Sequence, residues 1–486
     1  MRYLDEAQRK QIGFHYILEN LILTTPMGVK RKRTIVPYGI KGYEELKKEL
    51  DYVEEVIAQI REHKGLFDEL TEIFCRVKEI SNSVLRLKNG STLDDIELFE
   101  VKYFSKLSDD LKRLYERLDL EIDYVSFHPL DRVFAILDPE EKGVMTFHIY
   151  EAYSKKLQHI RYEKRQWEEK IVREEDDLRK KELLDKRMET VVAEEEEEQV
   201  VRQRISEELK PYADHILHNL SVIGELEFLI AKAQLAIEWG AVKPEITQDA
   251  TLHLEEASNP MVEDILREKN KEFTRISIEM NTGVTLITGA NMGGKSVTIN
   301  TITLNVFLAQ LGFYVFCTKA VVPAFDFVYF ISDDMQSVEK GLSTFGAEII
   351  QLKEVVGAAR VTKGFIALDE LARGTNPKEG KDIVQAVITF LKEKKSFSLI
   401  STHYDGIDME GTRHYEVNGL KYLDFDKLKK MIDLNRTKSV DILQQHMDYH
   451  LEEVQSHEVP KDALNIAALL GLDREILDII ERFYTR

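Results

Sequence analysis

Apolar residues recur at helical spacing through residues 41 to 121, as in Leu46, Leu50, Val53, Val56 and Ile57, then Leu66, Leu70, Ile73 and Phe74. Spacings of three and four put such positions on one face of a helix, so this stretch predicts a helical domain, broken near Gly65 and Asn89-Gly90. Phe67 reads as a core position, and Ser91 to Asp95 supplies N-cap chemistry for a helix carrying Ile96, Phe99, Val101 and Phe104. Pro129 and Asp138-Pro139 mark turns. From about Ile149 the pattern thins to Tyr153, Leu157, Ile160, Trp167 and Ile171, with Glu, Lys and Arg on the other faces. No proline intervenes between Pro139 and Pro211, and Gly143 is the only glycine there. A helix of about 45 residues would extend about 65 Å and, being so polar, needs a partner. The predicted mate runs from about Val200 to Trp239, with Ile216, Leu220, Ile223, Leu226 and Leu229 in its apolar half. Together they form an antiparallel coiled-coil arm whose tip is expected near Thr190 to Glu198.

Beyond Pro244 the period changes. Thr285 to Thr288, Val321-Val322, Phe327 to Ile331, Phe365 to Leu368 and Ser398 to Ile400 are short apolar runs, several preceded by helical segments. That alternation predicts an α/β domain with a largely parallel sheet. The expected fold class is therefore α + α/β: a helical core at 1–148, the arm and a return helix at 149–240, an α/β domain at 241–424, and a helical C-terminal segment at 425–486.

Composition narrows the setting. A chain of 486 residues with 43% apolar content can bury more than one core. The N-terminus is charged where a signal peptide needs an apolar stretch, and no apolar run approaches the ~20 residues of a membrane span, so a cytoplasmic location without membrane contact is expected. Cys75 and Cys317 form no metal or disulfide pattern and read as buried structural thiols. A net charge of −20 argues against non-specific adhesion to nucleic acid. The compact basic run Lys30 to Arg33 is expected on a loop, as a solvated turn or a phosphate contact. Glu194 to Glu198, expected at the arm tip, reads as a solvated face or a docking site for a basic partner.

The chemistry concentrates at Gly289-Ala290-Asn291-Met292-Gly293-Gly294-Lys295-Ser296, which follows a strand and leads through Val297 into a helix. This is GxxxxGK[ST] in its required setting. The glycines let successive N–H groups point at phosphate oxygens, Lys295 reaches the β/γ-phosphates and Ser296 holds Mg²⁺. Some 75 residues on, the run ending in Asp369-Glu370 delivers two acids to the sheet edge where ligands bind in open α/β folds. Asp369 is expected to assist Mg²⁺ and Glu370 to orient or deprotonate the attacking water. His403, after the next strand, can hydrogen-bond the γ-phosphate or simply cap the strand end. Gln336, Ser343 and Thr344 complete the candidate set, the last two being equally readable as N-caps.

Taken together, TGANMGGKS, GLSTFGAEI, LDELARGTNPKEG and STHY resemble the nucleotide loop, signature, second carboxylate motif and histidine switch of the MutS family of ABC-type ATPases. DMQSVEKGLSTF and GTNPKEG are most similar to its recombination-suppressing branch. The resemblance implies ATP and Mg²⁺ as cofactors and a head-to-tail homodimer in which Ser343 and Thr344 approach the γ-phosphate held by the partner's Lys295. It also implies an arm that moves with the ATP cycle, while in departure from the family the chain is expected to lack mismatch-binding, connector and nuclease domains. Two kinds of target follow: branched or damaged DNA in repair or recombination, or a protein partner such as a cobalamin-dependent aminomutase served by a reactivase. The acidic tip and the overall charge favour the second.

Overall fold

The computed structural model describes residues 3–289, 294–332, 344–419, 447–454, 466–468 and 472–484. The chain divides into two compact units. One comprises Met1–Leu21, Val36–Glu54 and Gln234–Arg486; the other comprises Ile22–Ile35 and Glu55–Ala233.

The second unit is helical among its described residues. Phe67, Leu70, Ile73 and Phe74 line the buried face of the Lys64–Phe74 helix, as their spacing predicts. Asp94 caps the Asp95–Tyr115 helix, its carboxylate accepting the Ile96 and Glu97 amides while Glu97 reaches back to the Asp94 amide. Within that helix Lys102 is fully buried and ion-paired to Asp138 at 3.0 Å. The basic run is a correction: Lys30 to Arg33 form the last turn of the Pro26–Arg33 helix, not a loop. Pro26 sits in the first turn, where its missing N–H costs nothing, and Thr25 caps it. Buried Glu227 accepts the Thr24 and Thr25 amides, and Arg31 pairs with Glu225 at 2.6 Å. Cys75 also departs from expectation, being exposed, whereas Cys317 is buried.

The stretch predicted to form an arm is built differently from that prediction. Its two helices are Lys155–Arg173 and Asp177–Leu209, joined by the turn Glu174 to Asp176, so the tip precedes the predicted one and the mate is the second helix itself. Four consecutive acids, Glu174 to Asp177, disfavour continuation, and Asp176 restarts the helix by accepting the Leu178 amide at 3.0 Å. Glu194 to Glu198 consequently lie inside the second helix. Arg161 binds both Glu194 and Glu198 at 2.8 Å, Lys164 binds Glu194, Lys156 binds Glu197 at 2.8 Å, and Arg202 binds Glu198 at 3.1 Å. Much of this run is an internal ion-pair seam and not a repelling tip.

Among its described residues the first unit holds two sheets. Strands β1 (Glu245–Thr247), β2 (Thr251–Ala257), β3 (Ile276–Asn281) and β5 (Lys319–Pro323) form a mostly antiparallel sheet in the order β1-β5-β2-β3. The sequence reading did not anticipate this sheet. Strands β4 (Gly283–Gly289), β6 (Val328–Ser332), β7 (Phe365–Asp369), β8 (Phe397–Ser401), β9 (Arg413–Gly419) and β10 (Asp448–Glu453) form the other, in the order β10-β9-β4-β8-β7-β6. Only β10 is antiparallel. Strands β4, β6, β7 and β8 are buried along their whole length, the mark of a parallel sheet covered on both faces. Register aligns Ile287 with Ser401 and Leu368 with Ile400, so β4, β7 and β8 end together.

Candidate functional site

Strand β4 ends at Gly289 with φ +142°, and a Cβ there would lie 3.0 Å from the Val417 carbonyl oxygen, so only glycine fits. Gly294, with φ +91°, is the N-cap of the Lys295–Gln310 helix. Ala290, Asn291, Met292, Gly293, Gln336 and Ser343 lie outside the described residues. Thr344 opens the Thr344–Ala359 helix. Val297 and Ser296 are solvent-exposed on the first turn after the loop.

Lys295 is 5% exposed, its Nζ donating to the Gly289 carbonyl at 2.9 Å and pairing with Glu370 at 3.5 Å. Burial draws the ammonium below its ordinary range, while Glu370 pulls the other way. Asp369, at the end of β7, accepts a hydrogen bond from Ser401 Oγ at 2.6 Å and another from the Ser296 hydroxyl. Its carboxyl is nevertheless raised, because burial outweighs both bonds. Among the described residues no group of three or more His, Cys, Asp or Glu could hold a metal. One carboxylate and one hydroxyl already in contact are instead the hard-oxygen pair that suits Mg²⁺, an ion that draws its remaining ligands from water and phosphate.

Glu370 follows with φ +51°, and Ala372 has φ +61°. The Glu370 amide donates to Ser401 Oγ at 2.9 Å, and its carboxylate binds Arg373 at 2.8 Å as well as Lys295. The Ala372 amide donates to Glu348 Oε2 at 3.0 Å, and the Tyr404 hydroxyl donates to the Ala372 carbonyl at 2.9 Å. Two left-handed non-glycine residues so close together cost on the order of 1–3 kcal/mol each and persist only where neighbours over-determine them. Burial, then Glu348 and Glu370, raises the Tyr404 hydroxyl, which keeps it a donor. His403 is half-buried, and burial lowers it from the usual imidazole range against the pull of Glu370. A ring centroid distance of 4.4 Å joins it to Tyr404.

The structure thus brings Gly289, Lys295, Ser296, Asp369 and Glu370 together. His403 lies close enough for Glu370 and Lys295 to influence its charge. Sequence reasoning did not single out Ser401, Glu348 or Tyr404, whose partners are distant in sequence, or Arg373, which pairs with Glu370 three residues before it. A cavity of about 630 Å³ beside Gly294 is lined by Phe273, Ile276, Val297, Thr298, Met447 and Tyr449, also unforeseen. A second cavity, of about 490 Å³, is lined by Tyr16, Trp239, Asp264 and Arg267 and includes no predicted site residue.

Comparison with known proteins bears on this stretch. Residues 285–471 match the protein family described as MutS domain V. That stretch is therefore similar to MutS domain V. Every predicted site residue falls within the domain V match. The DNA mismatch repair protein MutS of Staphylococcus aureus (strain MRSA252) is 31% identical over 202 residues, 41% of this chain and 23% of that protein. Its namesake in Staphylococcus haemolyticus (strain JCSC1435) gives the same identity and coverage. The matched stretch therefore spans under a quarter of these MutS relatives.

Proposed function

We propose that this chain is a MutS-type ATPase that hydrolyses ATP with Mg²⁺. The observation that carries the reading is the convergence of Lys295, Ser296, Asp369 and Glu370 at the shared C-terminal ends of β4, β7 and β8, where open parallel sheets bind ligands. Lys295, already held toward Gly289 and Glu370, exchanges that carboxylate for phosphate oxygens of ATP. Ser296 and Asp369 hold Mg²⁺, which neutralises charge on the phosphates. Exchange at Lys295 frees Glu370 to orient a water whose oxygen bonds to the γ-phosphorus as the bond to the ADP oxygen breaks. The water's proton passes to Glu370 or to the departing phosphate. His403, whose imidazole burial draws below its usual range, donates one N–H toward the γ-phosphate. The cavity beside Gly294, with Phe273 and Tyr449, suits the nucleotide base.

In this reading the site is composite: Ser343 and Thr344 of a second copy complete it, and residues 425–486 contribute to dimerisation. Support for the latter comes from the Arg474–Tyr484 helix, where Ile476 and Ile479 are about half exposed. ATP binding closes the dimer, the arm formed by the Lys155–Arg173 and Asp177–Leu209 helices moves, and hydrolysis reopens it. Kinship with MutS relatives makes DNA of repair or recombination the first target, within the recombination-suppressing branch. The Glu194–Glu198 run no longer opposes it, since those glutamates include partners of Arg161, Lys164 and Lys156. The alternative, remodelling a protein such as an aminomutase, is favoured by the arm's real tip, where Val172 and Leu178 are 85% and 78% exposed around Glu174 to Asp177.

The test is phosphate release with ATP and Mg²⁺, with Lys295→Met as control, and binding of branched DNA across a salt series. Hydrolysis abolished by Lys295→Met supports the ATPase; its absence from the native protein refutes it. DNA binding that weakens steeply with salt supports the first target, and none at low salt leaves the protein partner.

A further inference from the structure

We propose that Glu348, Tyr404 and Ser401 are positioning residues that hold the Glu370–Ala372 turn in its left-handed form, tying water activation by Glu370 to the helix that begins at Thr344. The proposal rests on the ATPase reading and adds a coupling route to that site. The turn is not self-supporting, because Glu370 and Ala372 both carry side chains at positive φ. Within it the Arg373 and Thr375 amides reach the Glu370 and Ala372 carbonyls only at 3.3 and 3.4 Å, and shorter bonds come from outside. Ser401 Oγ takes the Glu370 amide at 2.9 Å and gives its own proton to Asp369 at 2.6 Å, so one hydroxyl fixes both carboxylate-bearing residues. Buried Glu348, within the first turns of the Thr344–Ala359 helix, takes the Ala372 amide at 3.0 Å. Buried Tyr404, beside His403, gives its proton to the Ala372 carbonyl at 2.9 Å. Gly380 packs against the same point: a Cβ there would meet both the Tyr404 hydroxyl and, at 2.9 Å, the Ala372 oxygen.

Leu371 and Ala372 share one buried cluster with Leu352 and Val355 of the Thr344 helix and with Tyr404. A shift of that helix, or of the His403 segment, therefore has a hydrogen-bonded and close-packed path to the Glu370 backbone. The nucleotide-holding groups stand on other elements, Gly289 on β4 and Lys295 and Ser296 on the helix after it. Loosening the turn should consequently displace the Glu370 carboxylate while leaving nucleotide binding in place.

The experiment compares Tyr404→Phe, which removes one hydroxyl, with Glu348→Ala and Glu348→Gln, the last keeping an acceptor for the Ala372 amide. Expected is a fall in kcat of about 10- to 100-fold in the first two with ATP affinity within about twofold, and recovery of most of that loss in Glu348→Gln. The double variant Tyr404→Phe with Glu348→Ala should lose less than the product of the single losses. Amide exchange provides a readout independent of turnover: the Glu370 and Ala372 amides should exchange faster in Tyr404→Phe and Glu348→Ala than in the native protein. Folded variants with native kcat and native exchange overturn the proposal, as does an equal loss of ATP affinity and kcat. A native protein that hydrolyses no ATP refutes the ATPase reading alone, and amide exchange then decides the strap.

Discussion

Replacing Glu370 by Gln removes a charge without changing volume, and its consequences differ between the empty and the ATP-bound site. Glu370 stands 3.5 Å from Lys295, which is 5% exposed. At an effective dielectric of about 20 that separation gives about 5 kcal/mol of attraction, before desolvation is subtracted. Breaking a buried pair by removing one partner costs about 3–5 kcal/mol, and the low end applies because Lys295 keeps its bond to the Gly289 carbonyl. The 2.8 Å bond to Arg373, a half-exposed side chain, adds at most about 1 kcal/mol. The empty variant should therefore be less stable by about 3 kcal/mol, visible as a lower Tm. With ATP the sign reverses, since phosphate no longer competes with a carboxylate for Lys295. The same ~3 kcal/mol would appear as roughly 100-fold tighter ATP binding. If Glu370 orients the water as proposed, hydrolysis in a single turnover should fall by about 10²- to 10⁴-fold. Thermal unfolding with and without ATP, equilibrium binding and phosphate release measure the three effects. Turnover within tenfold of native would remove Glu370 from the water-activating role, and unchanged empty-state stability would show that the Lys295 pair has no weight.

Gly289→Ala should lower stability by about 1–3 kcal/mol and abolish ATP binding, because φ +142° and the Val417 carbonyl at 3.0 Å both exclude a Cβ; a calorimetric scan and a titration with ATP read both effects. Arg161→Ala strips Glu194 and Glu198 of a shared partner and the Ile149 carbonyl of a donor at 2.7 Å. The expected cost is about 1–2 kcal/mol, with helix melting in the arm at lower temperature by circular dichroism. His403 gives a pH signature. Burial, opposed by Glu370, sets its folded pKa below the ordinary value of about 6.5. The stability that comes from keeping the ring neutral is fully present above that value and is lost as pH falls through the folded pKa. His403→Gln should flatten the stability profile in that window, and an unchanged acid slope would show that other groups produce it.

The chain's local chemistry was legible without coordinates wherever neighbouring residues alone decide it. The glycines around Lys295, the four apolar residues before Asp369 and the capping chemistry at Asp94 each specify a short-range conformation, and the strand ends they predict are found. The arm tip was misplaced because no glycine or proline marks it; the break at Glu174 to Asp176 depends on charge repulsion and one aspartate cap, a weaker local signal. Lys30 to Arg33 were misread for a related reason: Pro26 suits the first turn of a helix as well as a loop. Tertiary structure alone could decide what lies between distant segments. It turned much of an acidic run into an ion-pair seam, set Lys295 against Glu370 across 75 residues, and brought Glu348, Ser401 and Tyr404 to the turn beside Glu370. Periodicity reports which face of an element is buried but not which partner covers it. Such pairings follow from the order and register of the strands, and those are fixed only when the sheet forms.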